Sequence, residues 1–398
     1  MRNFVFISPH FPDSFYRFVV ALKNNGFNVL GVGDQPYDSL SSELKGALTE
    51  YYLCNDMDNF DNELRAVQYF RDKYGPIEFL ESNNEYWLEK DAKLREIFGI
   101  TTGPIGKEID FYNHKSLMKQ GYEKAGVKTA KWVIVKDKEQ LEDFIKKVDY
   151  PVFIKPDHGV GAEDTFKIKN SEDVDAFFAK KQPNIDYICE QYVTGNIISF
   201  DGVCDSHSNV VFCASNLFPP SVSDVAHEQQ DFFYFTYPHV PNDLEEIGRK
   251  VIKGFAVKQR FFHLEFFRLT KPAKGLGKIG DIVPLETNMR PPGGYTPDLI
   301  NFANSSNVYQ IYADVVAFDE NRQPDNNPHY YAPVASRRDQ FAYVHSDDEV
   351  LAKYKNVICH YGRYAGIFSG VMGNRFFMAK FNTIEEVEEF RDYIEARR

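Results

Sequence analysis

The run Pro284-Leu-Glu-Thr-Asn-Met-Arg-Pro-Pro-Gly-Gly294 sets a carboxylate, an amide and a guanidinium at two-residue spacing. Successive side chains of a strand point to opposite faces, so Glu286, Asn288 and Arg290 share one face and Leu285, Thr287 and Met289 the other. Upstream, Arg260-Phe-Phe-His-Leu-Glu-Phe-Phe-Arg268 does the same with His263 and Glu265. Two strands joined through the Gly- and Lys-rich stretch Lys271 to Asp281 bring Glu265 beside Glu286 and Asn288. These oxygen donors suit Mg2+, which commonly binds through one or two carboxylates together with substrate phosphates. Without that chemistry, the stripe is the wet face of a half-buried sheet.

Three other stretches could meet an anion. Lys155 ends the apolar run Pro151-Val-Phe-Ile-Lys155 and is followed by a turn containing Gly159 and Gly161. Glycines let backbone N–H groups approach phosphate closely, and a lysine adds a point charge. Taken alone, a structural turn accounts for the stretch equally well. Lys115 stands near the start of a helix opening at Asn113, where a cation opposes the macrodipole unless it reaches an anion. Glu190-Gln191-Tyr192-Val193 closes a strand read over Ile185 to Val193, and a strand ending at a crossing leaves backbone groups free to read a base edge.

The surrounding elements follow from pattern. Residues 1 to about 105 alternate short apolar strands (Asn3 to Ser8, Phe27 to Val32, Ile77 to Leu80) with helical periodicity, giving a small doubly wound α/β domain. It has no GxGxxG, so nothing in it supports dinucleotide binding. Ligands of such sheets lie beyond the carboxyl ends of the strands, which makes His10, Glu81, Asn84 and Glu85 candidates for a substrate wall. Thr102 to Gly106 is a linker. The stretch from Leu217 to Pro241 is long enough to be a lid. A helix is expected from Asp298 to Phe318. The tail, 331–398, is expected as an α/β extension packed on the large subdomain, with strands at 332–336, 341–345, 357–361 and 375–381 and a final helix from Ile384.

The chain has 398 residues, enough for two or three domains around a cleft. Its 46 Lys and Arg against 58 Asp and Glu give a net charge of −12, which argues against nucleic acid as a partner. No apolar run is long enough to span a bilayer and no signal-peptide pattern opens the chain, so a cytoplasmic protein without a membrane partner is expected. The five cysteines are scattered without a CxxC pair, which disfavours structural zinc or a disulfide framework.

Taken together, these stretches resemble the ATP-grasp superfamily and, within it, the carboxylate-amine ligase-like members. The motifs are Asn113-His-Lys115 with Ala125-Gly126-Val127, Pro151 to Pro156, Glu190 to Val193 with Gly195, Phe262 to Glu265, and Glu286 to Gly294. The resemblance implies an ATP-grasp fold, with a Rossmann-like N-terminal domain and two α+β subdomains, a small one over 106–190 and a large one over 191–330, enclosing a nucleotide cleft. It implies ATP and Mg2+ as cofactors, with Mn2+ as an alternative, and small-molecule carboxylate and amine substrates. Lys115, Lys155, Gly159 and Gly161 would hold phosphates, and Glu190, Gln191, Tyr192 and Val193 would read adenine. Glu265, Glu286 and Asn288 would bind metal. Arg290 would stabilise the transferring phosphoryl group, with His263, Gly293 and Gly294 towards the substrate. The family's ribose glutamate has no counterpart near Asn196 or Ile197, leaving Asp201 as the substitute. The implied activity is an ADP-forming ligase passing through an acyl phosphate. Other acids, such as formate or bicarbonate, or a non-catalytic nucleotide-binding role are the alternatives, and a homodimer is compatible.

Overall fold

The computed structural model describes residues 2–159, 164–219, 231–366 and 369–398. Three sheets organise them. The first is parallel, with strands β1 (Arg2–Ile7), β2 (Phe27–Gly33), β3 (Glu50–Leu53) and β4 (Phe79–Glu81) in the order β3-β2-β1-β4. Its central strand is buried on both faces because helices cover both sides. Phe4 and Phe6 join Phe18, Val19 and Leu22 of the helix Tyr16–Asn24. Val5 and Ile7 join Ala66, Val67 and Phe70 of the helix Phe60–Tyr74. The doubly wound reading therefore holds, with β3 added to it.

The second sheet is antiparallel and small: β5 (Trp132–Ile134), β6 (Val152–Pro156), β7 (Phe166–Ile168) and β8 (Tyr187–Gln191) in the order β5-β8-β6-β7. Amphipathic helices Lys138–Val148 and Ser171–Lys180, N-capped by the Asp137 and Asn170 side chains, bury Leu141, Phe144, Val174 and Phe177 against it.

The third sheet has nine strands: β9 (Gly195–Cys204), β10 (Val210–Ala214), β11 (Asn216–Phe218), β12 (Phe233–Thr236), β13 (Arg260–Leu269), β14 (Ile282–Asn288), β15 (Ala332–Arg337), β16 (Ile358–Arg363) and β17 (Arg375–Ala379). Its order is β14-β13-β9-β11-β12-β15-β17-β16, with β10 also paired to β9. The strands of the tail continue the large sheet through the β12–β15 pairing. No strand forms over residues 341–345, where Tyr343 makes an isolated bridge to Arg397. The expected helix from Asp298 to Phe318 is two, Thr296–Asn304 and Val308–Phe318. Ser305 turns left-handed between them at φ 47°, and the Asn307 side chain caps the second.

The helix Lys115–Lys124 leans on the large sheet, where the Tyr122 hydroxyl and Thr287 Oγ1 lie 2.6 Å apart. Gly121 permits the approach: a Cβ there would sit 2.3 Å from the Phe255 ring.

Candidate active site

The site is built where β13 and β14 pair. Their antiparallel register sets Glu265 opposite Glu286 and His263 opposite Asn288, and an irregularity follows Glu265. Glu286 is pushed up by burial, then by the neighbouring charges of Glu265 and Glu85, against the pull of Lys115 and Lys155. Burial also disfavours ionised Glu265, but His263, Arg290 and Lys155 outweigh it and hold the carboxyl below its usual range. Two facing carboxylates and a buried amide form an all-oxygen donor set whose own repulsion a divalent cation would relieve. No cluster of three or more His, Cys, Asp or Glu side chains able to hold a metal exists among the described residues. Two carboxylates and an amide suit a metal that keeps open positions for other oxygens, as Mg2+ does with phosphates.

Lysines face this pair from the small sheet and from the helix. Lys155 Nζ, at the end of β6, lies 2.9 Å from Glu190 Oε1, and Lys119 Nζ lies 2.8 Å from Glu190 Oε2. Burial penalises all three charges. It lowers Lys119, whereas the carboxylates around Lys155, Glu190 first and then Glu286, raise that ammonium. Glu190 itself is held down at about 2: burial opposes the charge, but the two ammonium groups prevail. Lys115 donates from Nζ to the Gly159 carbonyl at 2.9 Å and is lowered by burial and by Lys155, against Glu286 and Asp157. The helix start is fastened by Asp157, which accepts from the Ser116 N–H at 2.7 Å and its hydroxyl at 2.8 Å.

Arg290 reaches across to the N-terminal domain, donating from Nε to Glu85 Oε2 at 3.0 Å, with its Nη2 on the same oxygen, and from Nη1 to the Pro291 carbonyl at 2.9 Å. His263 lies between Asp201 Oδ1, 2.5 Å from Nδ1, and Glu265 Oε1, 3.1 Å from Nε2. Burial alone would lower the imidazole, but the two carboxylates raise it to about 9, so it is an imidazolium at neutral pH.

The structure brings Lys115, Lys155, Glu190, Glu265, Glu286, Arg290, His263 and Glu85 into this one network. Gly159 lies at its edge, and Gly161 falls outside the described residues. Other candidates sit elsewhere or are already engaged. Asp201, read as a ribose ligand, is fully buried; its carboxylate accepts from the Asn216 amide at 2.7 Å and also engages Ser199 and His263. It orients His263 and is closed to a sugar. Glu81, read as substrate wall, takes Arg95 Nη2 at 2.8 Å and Arg260 Nη2 at 2.7 Å in a buried triad. Asn84 caps the turn at Glu85, accepting from the Tyr86 N–H at 3.1 Å. His10 turns to Asp34, 3.1 Å from Nε2, beside Gly33. Gly293 and Gly294 (φ 60°) form the turn into the helix Thr296–Asn304, with Gly293 O accepting from Thr296 Oγ1 at 2.8 Å.

The hinge reading divides. Glu190 and Gln191 belong to β8, and Gln191 N–H is spent on the Lys131 carbonyl. The Tyr192 and Val193 backbone, after β8 ends, has no backbone partner among the described residues. Lys119 escaped the sequence reading although the signal was present: it lies four residues after Lys115, hence on the same helix face.

No family model matches the chain. It is 27% identical over 146 residues to the D-alanine–D-alanine ligase B of Clostridium perfringens, a stretch covering 36% of this chain and 46% of that protein. It is 23% identical over 229 residues to the L-arginine-specific L-amino acid ligase of Bacillus subtilis, covering 56% and 53%. The chain therefore spans about half the length of the curated relatives it matches. Among solved structures, the L-amino acid ligase of Bacillus licheniformis superposes with a TM-score of 0.74 at 13% identity, over 98% of this chain and 96% of that one. The biotin carboxylase domain of Hydrogenobacter thermophilus 2-oxoglutarate carboxylase, a dimer complexed with MgADP and bicarbonate, gives 0.72 at 16% identity over 100% and 90%. N5-carboxyaminoimidazole ribonucleotide synthetase of Thermotoga maritima gives 0.65 at 15% identity over 98% and 97%. Over nearly its whole length the chain shares the ATP-grasp fold of these solved structures, and over part of it its sequence is similar to the amino-acid ligases.

Proposed function

We propose that the protein is an ATP-dependent carboxylate-amine ligase that joins a small carboxylic acid, an amino acid or related metabolite, to an amine and releases ADP and phosphate. The observation that carries this reading is the facing pair Glu265 and Glu286, ringed by Lys115, Lys155 and Arg290. Phosphoryl transfer needs positioning and charge neutralisation more than covalent help, and these groups supply both. The lysines would hold the polyphosphate of ATP, with the Tyr192–Val193 backbone at the base. Mg2+, which Glu265, Glu286 and Asn288 would hold, supplies charge neutralisation at the phosphates, and Mn2+ fits the same donors. Arg290, released from Glu85, would stabilise charge on the transferring group and on the acyl phosphate that the amine then attacks. The His263 imidazolium, held by Asp201, adds positive charge beside Glu265 towards the substrate carboxylate.

The sequence relatives favour amino acids as the substrates. A second reading, activation of another small acid such as bicarbonate, draws on the likeness to the biotin carboxylase domain. No helix among the described residues is long and apolar enough to cross a membrane. With its ATP dependence, this supports a cytoplasmic enzyme acting on small molecules, and a homodimer is compatible. Phosphate and ADP release across paired pools of amino acids, with formate and bicarbonate arms, tests the reading. ADP should accumulate only when acid and amine are both present, and turnover should collapse in Glu286→Ala. ATP binding without turnover in every pool would leave a regulatory nucleotide-binding protein.

A further inference from the structure

Behind the helix Lys115–Lys124, away from the carboxylate pair, a cavity of about 700 Å³ lies between the linker 101–108 and the loop 254–260. That volume falls within the range of small-molecule sites. Its walls carry Lys107, Lys124, Lys258 and Arg260 against one acidic side chain, Glu108. Glu108 is turned back to accept from the Ile105 N–H at 3.1 Å. Asp319, next to the wall residue Ser206, is spent on the Ser206 N–H and hydroxyl at 2.7 and 2.6 Å. None of the three lysines is ion-paired with a carboxylate among the described residues; Lys124 lies over the Phe111 ring, 4.7 Å from its centroid. In a chain of net charge −12, such a cluster without counter-charge stands out.

Arg260 is the buried cation of the lining. It is almost fully buried; its Nη2 binds Glu81 and its Nε donates to the Met289 carbonyl at 3.2 Å, while Nη1 has no hydrogen-bond partner. Nη1 is itself closed to solvent, so Arg260 adds its charge to the inner wall and not a free donor to the cavity. Arg260 begins β13, and Glu265 is five residues further on, about 16 Å along the strand. The cavity is therefore separate from the proposed metal site.

We propose that this cavity is a second ligand site, for a compact polyanion bearing phosphoryl or carboxyl groups. Its lysines would meet the charges at the mouth, with the buried Arg260 charge behind them. The inference does not depend on the ligase reading. Binding of pyrophosphate and, in parallel, of citrate to the full chain, measured calorimetrically without divalent cations, tests it. Two variants separate the sites: Lys107→Ala/Lys124→Ala/Lys258→Ala for the cavity and Lys155→Ala for the cleft. All three cavity lysines are exposed, so the triple variant should fold, and Lys258→Glu alone provides a milder check. The expected result is saturable binding weakened about tenfold or more by the triple variant and by Lys258→Glu, and retained in Lys155→Ala. Pyrophosphate binding above citrate identifies a phosphoryl ligand, and the reverse a carboxylate. Absence of saturable binding, binding that survives the triple variant, or equal loss in Lys155→Ala overturns the proposal.

Discussion

Replacing Glu190 by Gln removes the anion between Lys119 and Lys155 with almost no change of shape. The folded carboxyl titrates at about 2 against an ordinary 4.5. At 1.36 kcal/mol per pH unit, its ionised form contributes about 3 kcal/mol to stability at neutral pH. Because the folded value is depressed, this contribution is complete above about pH 4.5 and fades as the pH falls through about 2. The variant also strands two buried ammonium groups, and breaking a buried pair costs a similar amount, about 3–5 kcal/mol. Trp132 lies opposite Glu190 in the β5–β8 pairing, so its fluorescence reports on the right sheet. For a urea slope of about 1–3 kcal/mol/M, the midpoint should fall by about 1–3 M at pH 7. At pH 3 the difference should shrink to less than half. An unchanged midpoint at pH 7, or a deficit that does not vary between pH 7 and pH 3, would refute the charge assignment.

Glu286→Gln should abolish ADP release and yet raise the melting temperature of the free protein, since it removes a carboxylate crowded by Glu265 and Glu85; calorimetry and a coupled assay read both. Mg2+ should raise the melting temperature of the parent protein and leave that of the variant unmoved. Arg290→Lys keeps the charge but loses the fork, so kcat should fall by about 10²–10³ with KM little changed, measured by phosphate release. In Asp201→Asn, the His263 imidazole should titrate well below its parent value of about 9, which NMR would show directly. In the parent protein the raised imidazole contributes stability that is complete below about pH 6.5 and lost as the pH rises through 9. Denaturation midpoints that stay flat over that range would count against it.

The alternation Glu-x-Asn-x-Arg and His-x-Glu was legible because a period of two survives any tertiary context. Two antiparallel strands joined through residues 270–281 then have few registers that keep Phe262, Leu264 and Thr287 inside. Lys155 was legible for the same reason, as the polar end of an apolar strand. The pairing of β9 with β13 was not, because their contacts join residues about 60 apart in sequence, and nothing local marks Asp201 as the partner of His263. Without that pairing, Asp201 looked like a loose carboxylate available to a sugar. Glu81 misled in the same way, since its arginines come from 14 and 179 residues away.

The Lys119–Glu190 contact also has a mechanical meaning. Lys119 rides on a helix fastened to the large sheet through Tyr122 and Thr287, whereas Glu190 belongs to the small one. The pair is a strut between two bodies, set at the point where a triphosphate would enter. Phosphate oxygens would draw on the same ammonium groups that the strut uses. Arrival of the nucleotide would then loosen this link and leave the Asp157 bonds to Ser116 to tie the helix to the end of β6.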